Sequence, residues 1–216
     1  GAELVESTHG MANRLTECFN QRYLAKFIND ATPGASNDLI YETTIDFLKN
    51  PDNPRPDLIV IGWTEFNRIQ WYLIDQWNKG RLWEINQIGA GIQVPDEYKD
   101  RYQHWKDHVE SDGHWQLVQS TYWHNKIYNL HCMLEHKRIP HLFFNAFNYF
   151  VLPHYQHQLD WKNKFLSPYD NELIYTEWCK RNGYHEITPG LFHFDNRAHA
   201  DWAILLHQHL KKYNIV

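Results

Sequence analysis

The sequence predicts an α/β fold: a three-layer αβα sandwich, in which a parallel sheet carries helices on both faces, formed as one domain over residues 1–216. Three observations predict it. Asp57-Leu58-Ile59-Val60-Ile61-Gly62 is a continuous β-branched apolar run without polar alternation, the pattern of a strand covered on both faces. Ile139-Pro140-His141-Leu142-Phe143-Phe144-Asn145-Ala146 is a second such run, its proline tolerable only near the start. Helical patterns alternate with these strands, and chains of that order join parallel strands by right-handed crossovers.

The elements follow in order. Over residues 10–21, Met11, Leu15, Cys18 and Phe19 share one helical face. Residues 23–30 read as a short strand, followed by a turn at Pro33-Gly34 and a helix capped by Ser36 or Asn37 that turns Leu39, Ile40, Phe47 and Leu48 inward. The proline-rich stretch 50–56 is a loop. From Glu65 to Trp77, Phe66, Ile69, Trp71, Tyr72, Leu73 and Trp77 stand at helical spacing. Residues 79–137 read as an insertion, irregular to about Pro95 and then helical with a break near Ser111-Asp112-Gly113. Its second helix offers Trp115, Val118, Tyr122, Ile127, Leu130 and Leu134 for burial. Residues 147–168 form an aromatic loop and 169–181 a short helix. Asp195 to Tyr213 is a terminal helix with Trp202, Leu205, Leu206 and Leu210 inward.

Composition narrows the function classes. With 43% apolar residues and 16% aromatics, 216 residues can bury a sizeable core. The formal charge is −5 and no Lys/Arg cluster exceeds Lys137-Arg138 or Lys211-Lys212, so nucleic acid and anionic membranes are not expected partners. Cys18, Cys132 and Cys179 are odd in number and form no CxxC pair, which argues for a reducing, cytoplasmic setting without a disulfide framework. No apolar run approaches a membrane span. His104 and His108 at i,i+4, and His154 with His157, lack convincing third and fourth ligands, so no metal or other cofactor is expected.

In parallel α/β sheets the ligand binds beyond the carboxyl ends of the strands. Candidate site residues therefore lie just after each strand. Gly34 allows close approach of a backbone N–H, and the helix behind it, opening at Asn37, presents further donors. After the central strand come Gly62, Thr64, whose hydroxyl either caps a helix or enters the site, and Arg68, suited to an anionic group or to a surface ion pair. Ahead of and within the terminal helix stand His193, Asp195 and His199.

These blocks, taken in order, resemble the SGNH hydrolases (GDSL-type esterases and lipases), including their phage and marine microbial relatives. Gly34-Ala35-Ser36-Asn37-Asp38 is similar to the family's second block, whose glycine amide serves the oxyanion hole. Asp57 to Glu65 is similar to the third block, a strand followed by Gly-x-Asn-Asp, with Thr64 where the oxyanion-hole Asn belongs. His193 to Ala203 is similar to the last block, His-Pro-Ser-x-x-Gly-His-x-x-Trp-Ala, with Phe194 replacing the proline and Ala198 the glycine. The resemblance implies a flavodoxin-like sheet and His193 as catalytic base. Gly190 occupies the place of the family's acid, three residues before the histidine, and Asp195 follows two residues after it. Gly1-Ala2-Glu3-Leu4 looks like the tail of the first block, Gly-x-Ser-x-Thr-x-Gly, which places the nucleophilic serine upstream of residue 1.

The expected chemistry is hydrolysis of an acyl or acetyl ester of a carbohydrate or lipid, with a small-molecule or carbohydrate ester as the ligand. The competing expectation is a non-catalytic glycan-binding or structural module on the same scaffold, with the aromatic segment from Phe143 to Trp161 stacking on sugar rings.

Overall fold

The computed structural model describes residues 28–31, 35–72, 82–85, 96, 99–188, 190 and 192–216. Its helices are α1 (Asn37–Lys49), α2 (Lys99–Ser111), α3 (Trp115–His136), α4 (Tyr175–Arg181) and α5 (Asn196–Lys212). Its strands are β1 (Ile59–Trp63), β2 (Ile69–Tyr72), β3 (Leu82–Ile85), β4 (His141–Asn145), β5 (Phe165–Leu166), β6 (Glu186–Thr188) and β7 (His193–Phe194). The helix expected at 10–21, the Pro33-Gly34 turn and most of the strand expected at 23–30 lie outside the described residues, and residues 28–31 have no regular structure.

β1, β4 and β5 form a parallel sheet in that order, with Ile59 beside His141 and Trp63 beside Asn145. Every residue of β4 is buried. The alternation of side chains across the sheet sorts the core into two halves. On one face Ile61, Trp63, Phe143 and Phe165 pack with Trp123, Ile127, Leu130 and Leu134 of α3, flanked by Ile40, Ile45 and Leu48 of α1. On the other, Leu142, Phe144 and Leu166 pack with Trp202, Ala203, Leu206 and Leu210 of α5. The protein is therefore a mixed α/β structure with helices against both faces of a small parallel sheet.

Gly62 is set by this packing. A Cβ there would lie 2.5 Å from Cζ of Phe144, its register neighbour, so the ring occupies the space a side chain would need. Ser36 caps α1 as expected, its Oγ accepting the Leu39 N–H at 3.2 Å.

Several elements differ from expectation. The segment expected as a helix over 65–77 contains β2, which pairs antiparallel with β3 from Ile69–Ile85 to Tyr72–Leu82. Short runs rich in Ile, Trp and Tyr satisfy both periodicities, and here their β preference prevails through a cross-strand partner. Within the aromatic loop, Phe165 and Leu166 pair with β4 as β5, and the helix expected at 169–181 starts only at Tyr175. β6 and β7 form an unanticipated antiparallel pair that puts His193 on a strand.

In α3 the expected apolar stripe is displaced. Val118 and Tyr122 are 52% and 49% exposed, whereas Ser120, His124 and His131 are buried beside Trp123, Ile127, Leu130 and Leu134. Polar residues enter the core because each finds partners there. Ser120 Oγ donates to the Val151 carbonyl and accepts the Val151 N–H, both at 2.8 Å. His124 Nε2 meets Tyr169 Oη at 2.8 Å. His141 Nδ1 lies 2.9 Å from the Ile139 carbonyl, which only accepts, so this nitrogen carries the proton. Its Nε2 then accepts from His131 Nδ1 at 2.8 Å, and both rings are neutral. Burial pushes His131 down and His141 down to about 4.

Two measurements check this account. Gly62→Ala should destabilise by about 1–3 kcal/mol through overpacking against Phe144, read as a lower urea midpoint with unchanged m-value. Between pH 6.5 and 4 the unfolded chain binds a proton at His141 that the folded chain refuses, so stability rises with pH across that window. Acidification through it should remove about 3 kcal/mol from this group, and His141→Phe should flatten that part of the stability curve.

Candidate functional site

The carboxyl ends of β1 and β4 lie side by side, and the ladder continues one step as the Ala146 N–H donates to the Trp63 carbonyl at 2.8 Å. The loop after β1 then folds onto the loop after β4. The Phe66 N–H donates to Asn148 Oδ1 at 3.1 Å, and the Phe66 ring stacks on Phe150 at 5.4 Å. The Arg68 guanidinium sits 5.2 Å above the Phe147 ring, a cation–π contact. Phe147 in turn meets Phe192 edge-on at 5.9 Å, and Phe192 immediately precedes His193. The loops bearing Thr64, Arg68 and His193 are thereby joined through Phe147. Gly34 lies outside the described residues.

Asn37 and Thr64 are both buried and grip each other. The Thr64 N–H donates to Asn37 Oδ1 at 2.8 Å, and Asn37 Nδ2 donates back to the Thr64 carbonyl at 3.2 Å. Asn37 thus fixes the backbone at the end of β1 to the start of α1. Thr64 Oγ1 is left buried without a hydrogen-bond partner among the described residues. So are both polar atoms of Asn145, the last residue of β4, whose side chain is 1% exposed. A buried polar group left unpaired costs about 1–3 kcal/mol, and native proteins rarely retain one without a reason. The signal for Asn145 was present in the sequence: a polar residue closing an otherwise apolar strand.

Glu65 follows Thr64 half-buried. Burial pushes its carboxyl up, and the Arg68 charge opposes that shift. Gly62, by contrast, serves the packing of Phe144 and needs no ligand to account for it.

Around the terminal helix, His193 is half-buried on β7 beside Thr188 of β6. Asp195 caps α5, its Oδ1 accepting the Ala198 N–H at 2.9 Å. His199 is buried, its Nδ1 3.0 Å from Tyr175 Oη and its ring stacked on that tyrosine. Burial pushes His199 down to about 4 and pushes the Tyr175 hydroxyl up, so a neutral imidazole faces a protonated phenol. This contact ties α5 to α4. Gly190, at φ 81°, donates its N–H to Glu186 Oε2 at 2.5 Å. A carboxylate from β6 therefore reaches the Gly190 backbone, and the hairpin that brings it there has no sequence signature.

Three of the four described serines make hydrogen bonds of their own. Ser36 caps α1, Ser111 Oγ donates to the His108 carbonyl at 3.1 Å and Ser120 is bonded to Val151, while Ser7 lies outside the described residues. The rings expected to offer a sugar platform are mostly core: Phe143, Phe144, Phe150 and Trp161 are buried, with Tyr149 and Tyr155 exposed. Among the described residues, no group of three or more His, Cys, Asp or Glu side chains could hold a metal ion, and no helix is long and apolar enough to cross a membrane.

A family profile matches residues 5–153, about two thirds of the chain. The chain belongs to DUF6071, a family of unknown function. The match takes in α1, β1 and β4, hence Asn37, Thr64, Arg68 and Asn145, whereas His193, Asp195 and His199 lie beyond it. No curated protein and no solved structure matches.

The Asn37–Thr64 clamp is open to test. Asn37→Leu should destabilise by about 2–4 kcal/mol, because it strands a buried N–H and a buried carbonyl, and hydrogen exchange should show faster exchange at the Thr64 amide.

Proposed function

We propose that this member of DUF6071 is an SGNH-type hydrolase that cleaves an acyl or acetyl ester, with His193 as its base. The observation that carries the reading is the line Arg68–Phe147–Phe192, which draws the segment ending in His193 onto the loops beyond the carboxyl ends of two parallel strands. That is where ligands bind in such sheets. The scaffold we propose is a flavodoxin-like three-layer αβα sandwich, with a further parallel strand on the outer edge of β1. In its favour, β1 has no partner on that edge among the described residues, although Ile61 and Trp63 are buried.

In this reading a serine hydroxyl from outside the described residues attacks the ester carbonyl while His193 takes its proton. The alcohol leaves with a proton from the imidazolium, and water then releases the acid from the acyl-enzyme by the same relay. By the resemblance, the Gly34 amide and the Thr64 hydroxyl are the donors for the developing oxyanion, each such donor contributing about 3 kcal/mol in well-formed holes. Two carboxylates belong to the His193 hairpin and its helix, Asp195 at the cap of α5 and Glu186 on β6. Either could hold the imidazole tautomer.

A second reading, a glycan-binding module without turnover, is favoured by Gly190 standing at the acid's place and by the commitment of Asp195 to its helix cap. Activity separates the two. The protein expressed from its complete reading frame should turn over p-nitrophenyl acetate, and His193→Ala should lower kcat by about 100- to 10,000-fold with little change in thermal stability. Turnover unaffected by His193→Ala would remove the histidine from the mechanism. No turnover, with retention on a glycan array, would establish the second reading.

A further inference from the structure

The side chain of Lys126, on α3, ends between two helices. Its Nζ donates to Asp38 Oδ1 at 2.7 Å and to Tyr122 Oη at 3.1 Å. The same ammonium lies 4.9 Å from the centre of the Tyr41 ring, 5.3 Å from that of Tyr122 and 4.8 Å from that of Trp123, three cation–π contacts. Tyr122 and Trp123 stand one turn before Lys126 on α3, whereas Asp38 and Tyr41 stand one turn apart on α1. The side chains of Lys126 and Asp38 are 23% and 28% exposed, so water screens this pair less than it screens a surface ion pair. Burial pushes the Lys126 ammonium down, but Asp38 and Tyr122 outweigh it and hold it above the ordinary lysine range, so the charge persists around neutral pH.

The packing of α1 gives such a pin something to do. Asn37 is its one fully buried residue, and Ile40, Tyr41, Ile45 and Leu48 are only partly buried against the core. Apolar contact is non-directional, so on its own it leaves a helix free to shift over the surface it covers. Directed bonds fix what such packing leaves loose, and two sets of them leave the first turn of α1 for other elements. Asn37 grips the Thr64 N–H and carbonyl at the end of β1, and Asp38 meets Lys126. Asn37 and Asp38 are adjacent, so a shift of Asp38 against α3 moves the amide that holds Thr64. Thr64 stands where the resembling family carries an oxyanion donor, and misplacing a catalytic group by about 1 Å costs on the order of 100-fold in rate.

We propose that Lys126 is a positioning residue: through Asp38 it sets the first turn of α1, and through Asn37 the place of Thr64 at the oxyanion site. This rests on the ester-hydrolase reading above. The role needs no contact with substrate, because it runs along the path Lys126–Asp38–Asn37–Thr64, in which every link is a hydrogen bond or a peptide bond. The charge is what the path requires. A methionine of similar length still fills the space between the rings but releases Asp38.

The test compares the complete protein with Lys126→Met, Asp38→Asn and the double variant, by p-nitrophenyl acetate kinetics and by amide hydrogen exchange. Lys126→Met is expected to lower kcat about tenfold with KM within about twofold, and to speed exchange at the Thr64 amide about tenfold while the β4 amides keep their rates. The double variant is expected to fall no further than the worse single one, because two residues on one path do not add. Exchange that rises equally in β4, losses that add in the double variant, or an unchanged kcat in Lys126→Met would each make the ion pair a general stabilising contact and overturn the proposal. If the unsubstituted protein cleaves no ester, the hydrolase reading fails on its own. Exchange then decides for Lys126: acceleration at Thr64 without acceleration in β4 supports its hold on Thr64, and uniform or absent acceleration rejects it.

Discussion

Burial of β4 on both faces is the constraint from which the described structure follows. A strand flanked by β1 and β5 has no exposed edge, and with α3 on one face and α5 on the other it has no exposed side chain. Its residues must then be apolar or internally paired. Leu142, Phe143 and Phe144 satisfy the first condition and His141 the second, through His131 and the Ile139 carbonyl. Gly62 is a consequence in the neighbouring strand, since the Phe144 ring fills the volume above it. Asn145 satisfies neither condition among the described residues.

The polar residues within the core tie connections to helices rather than weaken them. Tyr169 Oη accepts the Leu159 N–H and the Trp161 Nε1–H, each at 2.8 Å, and contacts His124 on α3 at the same distance. A segment of about twenty residues without regular structure is thereby pinned to a helix, and its rings turn inward, with Trp161 edge-on to Phe165 at 4.9 Å. This explains why an aromatic loop that looked suited to sugar stacking is largely unavailable for it. Aromatic content reports core-filling capacity, and only the fold decides which rings remain at the surface.

The site is organised by a similar division of labour. Asn37 spends its amide on the Thr64 backbone, Asp195 spends an oxygen on the first turn of α5 and His199 spends its ring on Tyr175. Residues chosen for their chemical types thus turn out to hold the loops in place. The position of each beside a strand end or helix start was readable from local patterns, because caps and strand ends have local signatures. Their partners were not readable, because a hydrogen bond between Asn37 and Thr64 spans 27 residues and leaves no periodic trace.

By itself the sequence determined the helices at Asn37–Lys49, Trp115–His136 and Asn196–Lys212 and the two long strands. Amphipathic period, caps and uninterrupted β-branched runs are properties of contiguous residues. It also placed Thr64 and Arg68 just after the first of those strands. Tertiary structure alone decided that 69–72 would be a strand, that Phe165-Leu166 would join the sheet, that His193 would sit on a hairpin and that Asn145 would find no partner among the described residues. Each of these depends on a partner distant in the chain. Pairing and burial are set by what arrives alongside a residue, and a single strand of text carries no record of that arrival until the chain is folded.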